Sequence, residues 1–294
     1  MSAKSSPPVV DPGHPFASTS HIPFNYHKQT NSSAPFGYNY FVSLPPAYGL
    51  EPDRKWPLIL FLHGAGESQR GFNESYASLR HGIPKIILCY DKWKGGASSP
   101  SIDIPRAMRF KNRRTAQKPD SSDLSSQPVS PEVCKLVAEE FITITPSLDM
   151  IQGYGWNPVV LSSLLDEVLE TYHVDEDRIH VTGFSMGGYG TWSLGLRTPD
   201  RFATLTPICG GADPALAKKV KHVPQWIFHG ETDPIIPISE SIEMDCALRH
   251  AGADEVHFTR YPNTEHDSWT CSYSNPELFR WMLEKKRPIS EARS

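Results

Sequence analysis

The stretch Ile179-His180-Val181-Thr182-Gly183-Phe184-Ser185-Met186-Gly187-Gly188 decides the fold. Arg178 to Gly183 carries β-branched residues in the pattern of a buried strand. The residues after Ser185 read as a helix that stops near Pro199. Between the two lies Gly183-Phe184-Ser185-Met186-Gly187, a G-x-S-x-G turn. In a strand–turn–helix context such a turn is tight enough to lift the serine hydroxyl above the sheet edge. Side chains at 183 and 187 would crowd the strand and the helix. The helix N-terminus also aims its dipoles at any negative charge that develops there. Ser185 is therefore a candidate nucleophile. The plainer reading is a Gly-rich turn with an incidental serine, and the flanking strand and helix argue against it.

Outward from the turn, Trp56 to Leu62 is a nearly continuous apolar run, as expected of a strand buried on both faces. Tyr38–Leu44, Phe141–Thr145 (closed by Pro146), Phe202–Ile208, Gln225–His229 and Glu255–Tyr261 read as further strands. Asn157-Pro158 pairs a cap residue with Pro at the first helical position, and Leu161, Leu164, Leu165, Val168 and Leu169 follow at helical spacing. Further helices are predicted over Ser239–His250 and from Asn275-Pro276 onward. Strands alternating with helices imply an α/β fold: a mostly parallel central sheet with helices on both faces. Residues 36–290 are expected to form one catalytic domain. Residues 1–35, rich in Ser, Pro and His, read as a flexible or surface-draped leader. Residues 91–135 read as a solvated, lid-like polar insertion, with Lys92, Arg109, Arg113 and Arg114 among its cations and a run of serines behind them. A nucleic-acid patch is the other reading of that cluster, but a net charge of −4 gives the chain no general attraction to polyanions.

A serine hydroxyl is a weak nucleophile without a base beside it. Of the histidines that follow the helix after Ser185, His222 adjoins a lysine run, His229 closes a strand and suits support of the turn, His250 ends a helix, and His257 alternates within a strand. His266 lies in the loop Thr264-Glu265-His266-Asp267-Ser268 beyond the last strand, at the edge where catalytic loops gather. It is the candidate base. Asp233, in Gly230-Glu231-Thr232-Asp233-Pro234, is the candidate carboxylate that orients it, with Asp213 held in reserve. An oxyanion hole needs aimed N–H groups. Met186 offers one, and the loop His63-Gly64-Ala65-Gly66 offers the other from Ala65 or Gly66. His63 reads as an organiser of that loop. Glu67 either ties the loop down or touches substrate, and Trp156 and Trp269 are candidate cleft aromatics. Trp192 reads as core.

With these residues in view, the chain resembles the α/β-hydrolase superfamily, and within it the esterases related to phospholipase/carboxylesterases and feruloyl-type esterases. The strings that carry the likeness are Leu60-Phe61-Leu62-His63-Gly64-Ala65-Gly66-Glu67, Asp177 to Trp192, Pro207-Ile208-Cys209-Gly210-Gly211, Phe228 to Asp233 and Glu265-His266-Asp267-Ser268-Trp269. The resemblance implies a serine esterase with Ser185 as nucleophile, Asp233 as acid and His266 as base, acting on a small-molecule ester without cofactor or metal. A serine peptidase or amidase, a thioesterase and a non-catalytic binding module are the alternatives. Five scattered cysteines form no metal-ligand or disulfide spacing, and no apolar run approaches a signal core or a membrane span. A cytoplasmic location is expected. The sequence leaves the oligomeric state open.

Overall fold

The computed structural model describes residues 19–32, 34–69, 75–102 and 127–288. Among them, eight strands form one sheet in the order β1-β2-β4-β3-β5-β6-β7-β8. The strands are β1 (Phe24–Lys28), β2 (Asn39–Ser43), β3 (Trp56–Leu62), β4 (Ile142–Ser147), β5 (Val174–Phe184), β6 (Thr204–Ile208), β7 (Gln225–Gly230) and β8 (Val256–Tyr261). β1 and β2 run antiparallel, and the ladder from β4 through β8 is parallel. The helices are α1 (Gly82–Lys94), α2 (Pro131–Glu140), α3 (Pro158–Thr171), α4 (Met186–Arg197), α5 (Ser239–His250), α6 (Trp269–Tyr273) and α7 (Pro276–Glu284).

The apolar run of β3 explains the layering. Leu58, Leu60 and Leu62 face a core shared with α3, α4 and α5, whereas Ile59 and Phe61 face a second core under α1, α2 and α7. A strand covered on both faces has no polar side, so every residue of β3 is buried. This is the mostly parallel sheet with helices on both faces that the sequence predicts. The caps predicted for α3 and α7 form as expected: Asn157 Oδ1 accepts from the N–H groups of Val159 and Val160, and Asn275 Oδ1 from that of Glu277.

Three expectations change. The leader does not extend to residue 35, because Phe24–Lys28 joins the sheet and Ile22 and Phe24 are 3% exposed. Phe24 and Tyr26 both pack on Phe41 of β2, and Glu167 of α3 accepts from the N–H groups of Thr30 and Asn31. The polar composition around these residues concealed a short edge strand whose anchors lie far away in sequence. The polar insertion is also shorter than 91–135. α1 runs to Lys94, Ile102 and Val129 are buried, and the Val129 N–H donates to the Pro100 carbonyl to close the neck. Val133, Cys134, Val137 and Ala138 of α2 then complete the second core. The expected lid and leader fall largely on residues 103–126 and 1–18, outside the described residues. Finally, Pro146 sits inside β4 rather than ending it. β3 leaves the ladder after Ile144, which frees one side of the strand there.

Among the described residues, no helix is long and apolar enough to cross a membrane.

The edge strand gives a direct test. Phe24→Ala should lower stability by about 3 kcal/mol, the usual cost of emptying a buried aromatic site. A urea midpoint equal to that of the parent would show that β1 is only draped on the body.

Candidate active site

Four strand ends deliver the site. β5 runs into Ser185, which has φ 55° and ψ −121°, before α4 starts at Met186. A non-glycine residue in that region costs about 1–3 kcal/mol and persists only where its surroundings hold it. The hold comes from backbone. A Cβ at Gly187 would fall inside the carbonyl oxygen of Leu62, the last residue of β3. The Ser185 N–H donates to the Ile208 carbonyl at the end of β6 (2.9 Å), so the turn is clamped between β3 and β6. β7 ends at Gly230, where a Cβ would collide with the carbonyls of Thr264 and Glu265. That contact seats the loop carrying His266 directly on the loop carrying Asp233.

Ser185, His266 and Asp233 form one hydrogen-bonded line. Ser185 Oγ lies 3.0 Å from His266 Nε2, and His266 Nδ1 lies 2.7 Å from Asp233 Oδ2. Because Nδ1 faces a carboxylate it carries the proton, which leaves Nε2 to accept from the serine hydroxyl. Asp233 has a fully buried side chain and His266 is 21% exposed. Burial pushes the Asp233 carboxyl upward. Donors from His229, His266 and the Ile236 and Ile235 N–H groups outweigh it and hold the acid well below the usual carboxylate range. Asp213, the reserve acid, caps a 3-10 turn by accepting from the Ala215 N–H.

Met186 opens α4, and Ala65 opens the 3-10 turn Ala65–Glu67. N–H groups in a first helical turn have no partner within the helix, which suits both for an oxyanion. The loop holding Ala65 is pinned from several sides. His63 is fully buried; its Nδ1 lies 2.8 Å from the Gly64 carbonyl and its Nε2 accepts from the Leu148 N–H at 3.1 Å. That pairing requires a proton on Nδ1 and a neutral ring, in line with burial lowering its pKa to about 4. His63 organises the loop, as its sequence position suggests.

Two candidate substrate contacts do other work. Trp156 is 7% exposed and donates from Nε1 to the His63 carbonyl, so it lies under the loop instead of lining the cleft. Glu67 is buried and bonded to Arg80, whose Nη2 donates both to Glu67 Oε1 (3.0 Å) and to the Gly66 carbonyl (2.9 Å). Burial pushes the Glu67 carboxyl up while Arg80 pulls it down. Glu67 thus takes the loop-tying role of its two sequence readings, and Trp156 packs beneath the loop, where contacts distant in sequence bury it. Trp269 does sit at the site, stacked on Phe184 (4.3 Å) and edge-on to His266 (5.3 Å). Trp192 is core, with Nε1 on Gln225 Oε1. Sequence reasoning missed Arg80, whose partners are not legible from spacing, and Cys209, which is buried beside Asp233 and His266 with φ 38°.

Cys209, Asp233 and His266 place donor atoms within 4.8 Å of one another. Asp233 and His266 are already bonded to each other, and burial pushes the Cys209 thiol up, so the trio suits proton transfer better than cation binding.

Comparisons with known proteins bear on the fold and family. A family model described as Phospholipase/Carboxylesterase matches residues 158–275, which include all three residues of the hydrogen-bonded line. A solved thermostable esterase is 26% identical, with a TM-score of 0.63 over 91% of this chain and 64% of its own. Its fold is the α/β-hydrolase fold, and residues 158–275 are similar to the phospholipase/carboxylesterase family. A solved ferulic acid esterase shares this α/β-hydrolase's fold at 16% identity, with a TM-score of 0.56, over 89% of this chain and 99% of that one. The bifunctional acetylxylan esterase/xylanase XynS20E of Neocallimastix patriciarum is 26% identical over 124 residues, 41% of this chain but only 17% of that protein. The chain thus spans about a sixth of that curated relative.

The Arg80–Glu67 pair yields a test. Arg80→Met alone should destabilise by about 3–5 kcal/mol, because it strands a buried carboxylate. Adding Glu67→Met should restore most of the stability and leave turnover impaired, since the Gly66 carbonyl still lacks its donor. Thermal unfolding and ester kinetics on the two variants check this. Full recovery of turnover in the double variant would mean that Arg80 does not hold the loop.

Proposed function

We propose that this α/β-hydrolase is a carboxylic ester hydrolase that works through a Ser185–His266–Asp233 triad and a covalent acyl-enzyme. The observation that carries the reading is the unbroken line from Ser185 Oγ through His266 to Asp233 at a strained strand–helix turn. Ser185 Oγ attacks the ester carbonyl carbon as His266 Nε2 takes its proton. The negative charge moves to the carbonyl oxygen, within reach of the Met186 N–H and a second donor from Ala65 or Gly66. Collapse of this intermediate breaks the bond to the alcohol, and the departing oxygen receives the proton from His266. Water then attacks the acyl-enzyme, gives a proton to His266 and releases the acid, and Ser185 regains its proton. Asp233 stays ionised throughout and holds His266 in the tautomer that serves the serine. These steps use only protein groups and water.

The ester class rests on the named relatives, a thermostable esterase, a ferulic acid esterase and an acetylxylan esterase. The five cysteines are free. That supports a reducing compartment and keeps a cytoplasmic location as part of the proposal.

Ser185→Ala should lower hydrolysis of p-nitrophenyl acetate by roughly 10⁴-fold or more with the circular dichroism unchanged. A fluorophosphonate should add covalently to the parent at Ser185 and not to the variant. A folded variant with near-parental turnover ends the triad reading. Asp233→Asn should cost about 10⁴-fold in kcat with KM little changed, because an amide NH₂ facing Nδ1 favours the wrong imidazole tautomer. An Asp233→Asn enzyme of near-parental kcat would move the acid elsewhere.

A further inference from the structure

A second imidazole faces the acid from its other side. His229, the residue before the last of β7, is fully buried, and its Nε2 lies 3.4 Å from Asp233 Oδ2, the same oxygen that accepts from His266. Its Nε2 also lies 2.9 Å from the Ile236 carbonyl. Both neighbours are acceptors only, so this nitrogen must carry a proton. Its Nδ1 lies 2.8 Å from Ser241 Oγ, whose hydroxyl donates to the Gly210 carbonyl at 3.1 Å. His229 is thus a fixed N–H donor between the acid and its own turn. Asp233 Oδ1 accepts from the Ile235 and Ile236 N–H groups, and Oδ2 accepts from His266 with His229 Nε2 3.4 Å from it.

We propose that His229 is a positioning residue that shares Asp233 Oδ2 with the base and thereby sets the pH at which the base becomes available. This inference rests on the triad reading above. A donor on Oδ2 stabilises the carboxylate and draws charge from the atom that steadies protonated His266. With that donor removed, Asp233 pulls harder on the His266 proton, and more alkaline conditions are needed to free Nε2. The other groups around Asp233 do not supply this donor. The Tyr189 hydroxyl of α4 interacts with Glu240 of α5, with its pKa raised to about 12 by burial and by that carboxylate. The Cys209 thiol after β6 stays protonated, since burial pushes it up.

The test compares pH profiles of kcat/KM for the parent, His229→Leu and His229→Gln on p-nitrophenyl acetate. The Gln amide nitrogen reaches about the same place as imidazole Nε2 and keeps a donor, while Leu removes it. The acid limb of His229→Leu should move up by roughly half a unit to one unit. That of His229→Gln should stay within about 0.2 units of the parent. Both variants lose the Ser241 contact, so a merely structural role would lower Tm and kcat in each without separating the limbs. A folded His229→Leu with the parental limb overturns the proposal. Ring ¹⁵N–¹H correlation on the unmodified protein is an independent check that needs no variant to fold: His229 should be protonated at Nε2, and a bare Nε2 overturns the proposal. Ser185→Ala run alongside separates the two levels. Turnover retained in that variant removes the triad reading itself, while the ring spectrum still decides whether His229 is the donor.

Discussion

Backbone pressed against backbone is the constraint on which the site depends. Gly187 leaves no room for a Cβ beside the Leu62 carbonyl, and Gly183 would place one 2.5 Å from the same oxygen. The end of β3 therefore lies directly on the strand–helix turn. The turn can hold Ser185 at positive φ because it has nowhere to relax. The same contact brings the loop after β3 beside Ser185, so Ser185 and the N–H groups of Met186 and Ala65 are positioned by one packing event. Side-chain contacts would leave more play, because rotamers yield and peptide planes do not.

The loops of Asp233 and His266 are joined by a second contact of this kind, where Gly230 meets the Thr264 and Glu265 carbonyls. Polar groups then fix the protons. His63 is held neutral beneath the first loop and His266 is aimed by Asp233. His229 and two turn N–H groups complete the shell of the acid. Desolvation makes each of these bonds matter, since an unpaired charge at this depth would be costly.

Packing beneath the site is divided between two cores that meet only through the sheet. The core under α3, α4 and α5 carries the nucleophile helix and Trp156, which supports the first loop. The core under α1, α2 and α7 includes Phe184 and Phe228 on the strands that bear the serine and the acid. Trp269 stacks on Phe184 and meets the base edge-on, so this second core reaches the chemistry through one aromatic pair. The sheet edge is closed by β1, whose anchors on α3 and α1 bring part of the apparent leader into the fold.

The sequence alone determined β2 to β8 of the sheet, the turn at Ser185 and the candidate trio Ser185, Asp233 and His266 that the fold brings into one line, because local signals encode them. A strand buried on both faces is a run of apolar residues, a nucleophile turn demands small flanks, and a cap before Pro marks a helix start. Tertiary structure decided what those signals cannot carry. Trp156 and Glu67 look like cleft residues until His63 and Arg80 are brought onto them from elsewhere in the chain. α1 and α2 look like margins of a polar insertion until their apolar faces meet each other and α2 meets α7, and β1 until it pairs with β2. His229 reads as turn support, and only the fold shows it facing Asp233 as well. In each case the deciding contact joins residues with no fixed spacing. Their roles follow from burial and from the partner present, and only the folded chain specifies either.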